Sequence, residues 1–245
     1  MLLVLWVEGV IVGFCNSCIH FGKIYFTVFI NIHMAIPRTL AQNAYLKALR
    51  NNIKPIVVAT GPAGCGKTLM ACNAAAERLH AQKVERVVIT RPTVTVDEDL
   101  GYLPGKLEEK MDPYMRPIMD IMGNYFTRAR IQQMMKNGTL EIAPLAFMRG
   151  RTFDNSFIIG DEMQNATQSQ MKMILTRLGA DSKMAITGDI YQTDLPPEST
   201  SGLLDLVTSI HNAPRLDYIQ HVAMNDEDIQ RHEAVKEVLK LYDDV

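Results

Sequence analysis

Cysteine is scarce in this chain, four residues among 245, and two of them, Cys65 and Cys72, sit in and just after a glycine-rich stretch. That usage argues against a disulfide framework and fits a reducing compartment. Net charge is equally sparse, because 25 basic residues against 27 acidic ones leave a formal −2. Without an excess of one sign there is no global attraction to nucleic acid or membrane, so any such binding has to come from local patches. No apolar run reaches the length of an uninterrupted transmembrane helix. No basic segment precedes the first apolar run, which Glu8 interrupts, so a secretory signal is not expected. Internal repeats and low-complexity linkers are also lacking. What remains is an ordinary globular composition, 47% hydrophobic and 21% charged, long enough for one sizeable core.

Charge is scarcest at the start. Residues 1–33 carry only Glu8 and Lys23 as charges, beside two apolar runs, and hold the only tryptophan, Trp6. Cys15, Cys18 and His20 have the spacing of half a metal site, but no second ligand pair at zinc spacing follows. Composition changes abruptly at Met34-Ala35-Ile36-Pro37-Arg38. The expectation is an apolar extension over 1–33 that lies outside the native domain, which runs from 34 to 245 and begins the native chain at Met34. A membrane anchor is the alternative reading of 1–33.

The most informative stretch begins at Ile56, where a short β-branched run breaks into Gly61-Pro62-Ala63-Gly64-Cys65-Gly66-Lys67-Thr68. A helical pattern follows from Leu69 to about Gln82. This fits G-x-x-x-x-G-K-[ST] with strand before and helix after, the context that a phosphate-binding loop requires. Glycines let backbone N–H groups turn inward around phosphate oxygens, and a helix starting there points its positive dipole end at the same oxygens. Lys67 supplies a point charge for the β- and γ-phosphates, and the Thr68 hydroxyl suits Mg²⁺. The candidate nucleotide-binding residues are therefore Gly61, Pro62, Ala63, Gly64, Cys65, Gly66, Lys67, Thr68 and Leu69, with ATP and Mg²⁺ as cofactors.

Downstream, apolar β-branched runs alternate with helical patterns. Thr39–Asn51 reads as a helix with an apolar face at Leu40, Ala44, Leu46 and Leu49. Strands are expected at Val84–Thr90, Leu140–Ala143, Phe157–Gly160, Met184–Thr187 and Leu216–Val222. Helices are expected at Tyr114–Lys136, Ala166–Leu178, Ser201–Asn212 and Asp226–Tyr242. The Met115, Ile118, Met119, Met122, Tyr125 and Phe126 stripe of the first reads as a core-facing surface. Such alternation argues for an α/β domain with a mainly parallel sheet and helices on both faces.

Two strand ends carry chemistry. Phe157–Gly160 runs into Asp161 and Glu162; in a P-loop enzyme the aspartate holds Mg²⁺ and the adjacent glutamate polarises the attacking water. Met184–Thr187 runs into Gly188 and Asp189, with Gln192 three residues on, where it could sense the γ-phosphate. The plainer reading makes Asp189 a turn former.

At this point the chain resembles a known family. The loop Gly61–Thr68, the stretches Leu100–Tyr114, Ala143–Thr152 and Asp161–Asn165, and Gly188-Asp189 with Gln192 and Asp194-Leu195-Pro196 look like the PhoH family, over about Thr39 to Tyr242. The resemblance implies a RecA-like P-loop fold similar to the core of superfamily 1 helicases, and a cytoplasmic ATPase. It places Gln42, with Tyr45 beside it, at adenine. It makes Glu162 the water-activating residue, Asp161 the metal holder, Gln192 the γ-phosphate sensor and Arg231 part of an Arg-His pair. Cys65 stands where threonine is usual and adds a redox question. Gly160-Asp161-Glu162-Met163 replaces Leu-Asp-Glu-Ala, which implies a lost apolar contact.

Superfamily 1 helicases close ATP between two lobes, and this chain is long enough for one. The expectation is therefore a ring, a hexamer, in which a neighbour's arginine completes each site, with Arg231, Arg151 and Arg91 as candidates in that order. Arg128, Arg130, Lys136, Arg149 and Arg151 are the basic residues available to single-stranded RNA. No membrane partner is expected. A nucleotide switch acting on a protein and a small-molecule phosphotransferase stay open as alternatives.

Overall fold

The computed structural model describes residues 3–7, 10–14, 35–92, 116–232, 234, 235 and 237. It divides into two compact units, Met1–Met34 and Ala35–Val245. The first contributes an antiparallel hairpin of β1 (Leu3–Val7) and β2 (Val10–Phe14), in which Leu3 faces Phe14 and Val7 faces Val10. Cys15, Cys18 and His20, and the Leu100–Tyr114 stretch, lie outside the described residues. Among the described residues no helix is long and apolar enough to cross a membrane.

The second unit opens with α1 (Leu40–Arg50), started by Thr39, whose hydroxyl accepts from the Gln42 amide at 3.2 Å. Its buried stripe is Gln42, Tyr45, Leu46, Ala48 and Leu49. Leu40, expected on that face, is 89% exposed instead, and Ala44 is exposed too. Tyr45 and Leu49 are one turn apart and set the stripe, which turns Leu40 and Ala44 toward solvent.

Six strands follow in one sheet: β3 (Ile56–Thr60), β4 (Arg86–Arg91), β5 (Leu140–Pro144), β6 (Ser156–Gly160), β7 (Lys183–Gly188) and β8 (Ile219–Ala223). Their spatial order is β5-β4-β6-β7-β3-β8 and every pairing is parallel. This is the α/β, RecA-like P-loop arrangement, with β7 standing between the strand of the glycine loop and the strand of the carboxylates. Register brings Thr60 level with Gly188, Gly160 level with Ile186, and Thr90 level with Gly160. The carboxyl ends of β3, β4, β6 and β7 thus share one edge, the edge where open parallel sheets bind ligands.

Alternation along the strands fills two layers. On one face Val58, Val88, Ile158, Met184 and Ile186 pack with Met171 and Ile174 of α5 (Gln168–Leu175) and Leu203 and Val207 of α6 (Gly202–Asn212). The alternate residues Val57, Ala59, Val87, Ile89, Phe157, Ile159 and Ala185 are equally buried. Their face carries α1 and α2 (Lys67–His80).

Two expected helices differ. Tyr114–Lys136 is broken: α3 is described over residues 116–122, a turn occupies 123–126, and α4 (Arg128–Lys136) restarts behind Thr127, whose hydroxyl accepts from the Arg130 amide. The break lets Phe126 stack on His80 with ring centres 4.8 Å apart. Ile118, Met122 and Tyr125 still face the core. The closing helix expected from Asp226 starts later, because a 3₁₀ turn occupies Asp226–Asp228, fixed by reciprocal Asn225 and Asp228 bonds. Residues 229–232 follow without helix, and helix is described at residues 234, 235 and 237.

At the opposite end of the sheet, Lys183 is 2% exposed and donates to the carbonyls of Ala48, Asn51 and Lys54. Arg78 donates to the carbonyls of Leu49, Arg50 and Asn51, so two cations close the carboxyl end of α1. Burial, and then the charge of Arg78, pull the Lys183 ammonium from 10.5 down to about 8. With the folded value below the unfolded one, the unfolded chain binds more protons between the two, and stability rises with pH in that window. Urea unfolding at about pH 7.5 and about pH 9.5 is expected to show that rise in the native chain and its loss in Lys183→Met.

Candidate functional site

The glycine loop is bent in a way that needs glycine. Gly61, Gly64 and Gly66 have φ of 151°, 90° and 87°, and Gly66 begins α2. A Cβ on Gly61 would stand 2.7 Å from the Met224 carbonyl oxygen, and one on Gly64 2.5 Å from Nε of Arg231. Among the described residues, no acceptor meets the backbone N–H groups of Ala63, Gly64, Gly66, Lys67 or Thr68. These inward donors at a helix start are what triphosphate oxygens require. Lys67, 9% exposed, folds across the loop and donates to the carbonyls of Gly61 at 2.6 Å and Pro62 at 2.9 Å. Leu69 continues α2 and is half-buried.

Asp161 joins that loop to the strand ends. Its amide extends the β6 ladder by donating to the Thr90 carbonyl at 2.9 Å. Its carboxylate is 1% exposed, and Oδ1 accepts the hydroxyls of Thr68 and Thr187, each at 2.6 Å. Oδ2 accepts Nε of Arg91 at 2.8 Å and its Nη2 at 2.5 Å. A carboxylate beside the Thr68 hydroxyl, at the foot of a phosphate loop, is the hard oxygen donor set that suits Mg²⁺.

Glu162 is exposed and sits at φ 53°, ψ 40°, a left-handed conformation that a non-glycine residue holds at roughly 1–3 kcal/mol. The turn aims it away from the strand, and Gln164 holds it: Nε2 donates to Glu162 Oε2 at 2.8 Å. The same Gln164 amide accepts the Asp189 N–H at 3.1 Å, so one buried side chain ties the end of β6 to the end of β7. A Cβ at Gly188 would lie 2.5 Å from Gln164 Oε1, which is why a glycine ends β7. Asp189 accepts the Tyr191 amide and forms the turn, while Gln192 is exposed beyond it. Asn165 and Asp194 bond each other in both directions and fix that turn against β6.

Other expected site residues are placed differently. Gln42 lies on the loop, but its amide is committed: Nε2 donates to the carbonyls of Cys65 at 3.0 Å and Asp228 at 3.4 Å, and Oε1 accepts the Arg38 amide at 2.7 Å. Tyr45 is fully buried on the core face of α1. The Cys65 thiol is 0% exposed, and burial raises its pKa against the lowering effect of Lys67, so neither access nor thiolate character favours oxidation there. The contact expected to be lost at Gly160 is replaced, since Met163 Cγ and Sδ lie 3.2 Å from where a Cβ would stand.

Two of the three candidate arginines require a correction. Arg91 is bound to Asp161, and Arg151 pairs in two bonds with Glu141 and stacks over Phe153 at 4.6 Å. Arg231 extends over its own chain's Gly64, on a strap that also bonds the loop through the Gln230 amide and the Gly64 carbonyl at 3.1 Å. Arg91 and Arg151 are thus committed to carboxylates of their own chain, whereas Arg231 is exposed beside the glycine loop with no polar partner among the described residues. Gln164 and Thr187 received no role from the sequence. The signals available were the Gln in Asp161-Glu162-Met163-Gln164-Asn165 and a lone hydroxyl ending an apolar strand.

Gly64→Ala is expected to cost about 1–3 kcal/mol, because an L-residue is strained at that φ and meets Arg231. Part of the loss should return in the Arg231→Ala background, as a coupling energy measured in a double-mutant cycle of chemical unfolding. Purely additive losses would show that the arginine does not press on the loop.

With the site described, comparison places the chain among known proteins. The family model for PhoH-like protein matches residues 34–243. A PhoH-like protein of Mycobacterium tuberculosis is 44% identical over 206 residues, covering 84% of this chain and 57% of the relative. That of Bacillus subtilis is 42% identical, covering 84% and 63%. Protein PhoH of Escherichia coli is 47% identical over 172 residues, covering 69% and 48%. The chain therefore spans about half to three-fifths of the length of these relatives. Among solved structures, the UvsW helicase of bacteriophage T4 aligns with a TM-score of 0.48 at 12% identity, covering 78% of this chain and 61% of that one. The Pif1 helicase of Candida albicans aligns with a TM-score of 0.42 at 14% identity, covering 84% and 43%. On the family match and the identities to its relatives, this chain belongs to the PhoH-like protein family.

Proposed function

We propose that the chain is a Mg²⁺-dependent ATPase that works in the cytoplasm as a ring-shaped homo-oligomer, a hexamer, and couples hydrolysis to remodelling single-stranded RNA. The observation that carries the hydrolytic part is Glu162, held by Gln164 beside Asp161 on the strand edge shared with the glycine loop. The loop N–H groups and Lys67 bind the triphosphate. Thr68 and Asp161 would hold Mg²⁺, which when bound neutralises charge on the β- and γ-oxygens. Glu162 then orients water and accepts its proton at a carboxylate oxygen. Gln164 relays the position of β7 to that carboxylate, which gives the Asp189–Gln192 turn a route to sense the γ-phosphate. Water suits this constellation as acceptor better than a metabolite does.

RNA coupling is supported by exposed basic side chains, Arg128, Arg130 and Lys136 on α4 and Arg149 after β5. Assembly is supported by Arg231, which is exposed beside the glycine loop, pairs with no carboxylate among the described residues and is the arginine offered to a neighbour.

ATP turnover and binding by the full chain test the reading. Lys67→Ala should abolish nucleotide binding, whereas Glu162→Gln should retain it and lose turnover by about 10²-fold or more. Equal loss of binding in both would mean that the carboxylate is misassigned. Single-stranded RNA should raise turnover several-fold over DNA-free and RNA-free controls, and sedimentation should show an assembly. A fully active monomer unaffected by RNA would leave only the hydrolytic part standing.

A further inference from the structure

We infer that Arg91 and a divalent cation are alternative partners of Asp161, so that Arg91 is a positioning residue that holds the metal carboxylate in place and yields it when metal arrives. The inference rests on the reading of Thr68 and Asp161 as the metal pair. A carboxylate offers about four lone-pair sites. In Asp161 all four are taken, Oδ1 by the Thr68 and Thr187 hydroxyls and Oδ2 by Nε and Nη2 of Arg91. Direct coordination of a metal by this side chain therefore needs one donor to withdraw.

Charge and burial decide which one. The two hydroxyls are neutral and can stay beside a cation, as the P-loop threonine does when it ligates Mg²⁺ itself. Arg91 carries a full positive charge that a divalent ion on the same carboxylate repels across a low-dielectric site. Thr187 is 0% exposed and has nowhere to go, whereas the Arg91 side chain is 20% exposed and has a path to solvent. Arg91 is also the last residue of β4, so its departure breaks no ladder beyond Thr90 and Gly160 on the β6 side.

The arrangement explains why a carboxylate this deeply buried is stable before metal binds. Arg91 supplies a countercharge to Asp161, and the Thr68 bond keeps it pointed at the glycine loop. Exchange of arginine for metal replaces one cation by another and leaves the burial of Asp161 unchanged. It also frees a guanidinium at the edge where phosphate is held, within the same chain.

The test is the half-saturating Mg²⁺ concentration for binding of a non-hydrolysable ATP analogue by the full chain, read by calorimetry. Arg91→Gln is expected to lower it at least fivefold and Arg91→Lys to give an intermediate value. Arg215→Gln, which makes the same charge change at an exposed pair with Asp217, should leave it unmoved. An unchanged or higher value in Arg91→Gln overturns the inference. If that variant does not fold, the Arg91 Nε–H resonance of the native chain decides: it should shift and exchange faster with solvent on adding Mg²⁺ and analogue, and a static resonance overturns the inference. Native chain that binds nucleotide with no dependence on Mg²⁺ brings down the metal reading and this inference together, whereas metal-dependent binding with an unmoved Arg91 brings down this inference alone.

Discussion

Asp161 is a carboxylate with 1% of its surface exposed, and the functional edge depends on how that group is satisfied. Burying a carboxylate without partners is prohibitive, whereas hydrogen bonds to a charged group contribute about 1.5–3 kcal/mol each. Its donors come from Arg91 at the end of β4, Thr187 in β7 and Thr68 in the first turn of α2. Parallel register puts β4 and β7 level with the end of β6, and the first turn of α2 meets them through the Thr68 hydroxyl. The same four bonds therefore satisfy the charge and align the glycine loop with the carboxylate strand.

A second constraint is contact at the loop's outer side. Met224 crosses Gly61, its amide bonded to the Thr60 carbonyl at 2.7 Å, and the strap that follows reaches Gly64 and Gln42. Two glycines are needed there for room as well as for backbone angle. The strap fails to become helix because Asn225 and Asp228 close a tight turn and Gln230 bonds the loop. Local helical preference over residues 226–232 is outweighed by that turn and by the long-range bond to Gly64. Gly160 and Met163 show the same principle inside the core, where one position gives up volume that a neighbour three residues on fills.

How much was legible follows from the range of each interaction. The strands and the glycine loop were readable because β-branched runs, glycine spacing and the Gly-Lys-Thr ending are properties of contiguous residues. Asp161 and Glu162 were readable because an apolar strand delivers them to its end. The break at 123–126 was not, because the residues around it keep helical spacing and Phe126 leaves the pattern only to meet His80, far along the chain. The outward turn of Leu40 was hidden in the same way, since α1 chooses its buried stripe by what α2 and the sheet present to it.

Sequence alone determined the order of the strands, the phosphate loop and the pair of carboxylates, because each is set by local sterics, periodicity and chemistry. Only the tertiary structure decided the assignment of the arginines. Arg91, Arg151 and Arg231 look alike as letters, yet one meets Asp161, one Glu141 and one Gly64 of its own loop. A long flexible cation has no local preference that picks its partner; sheet order, strand register and the course of the strap bring a particular acceptor within its reach.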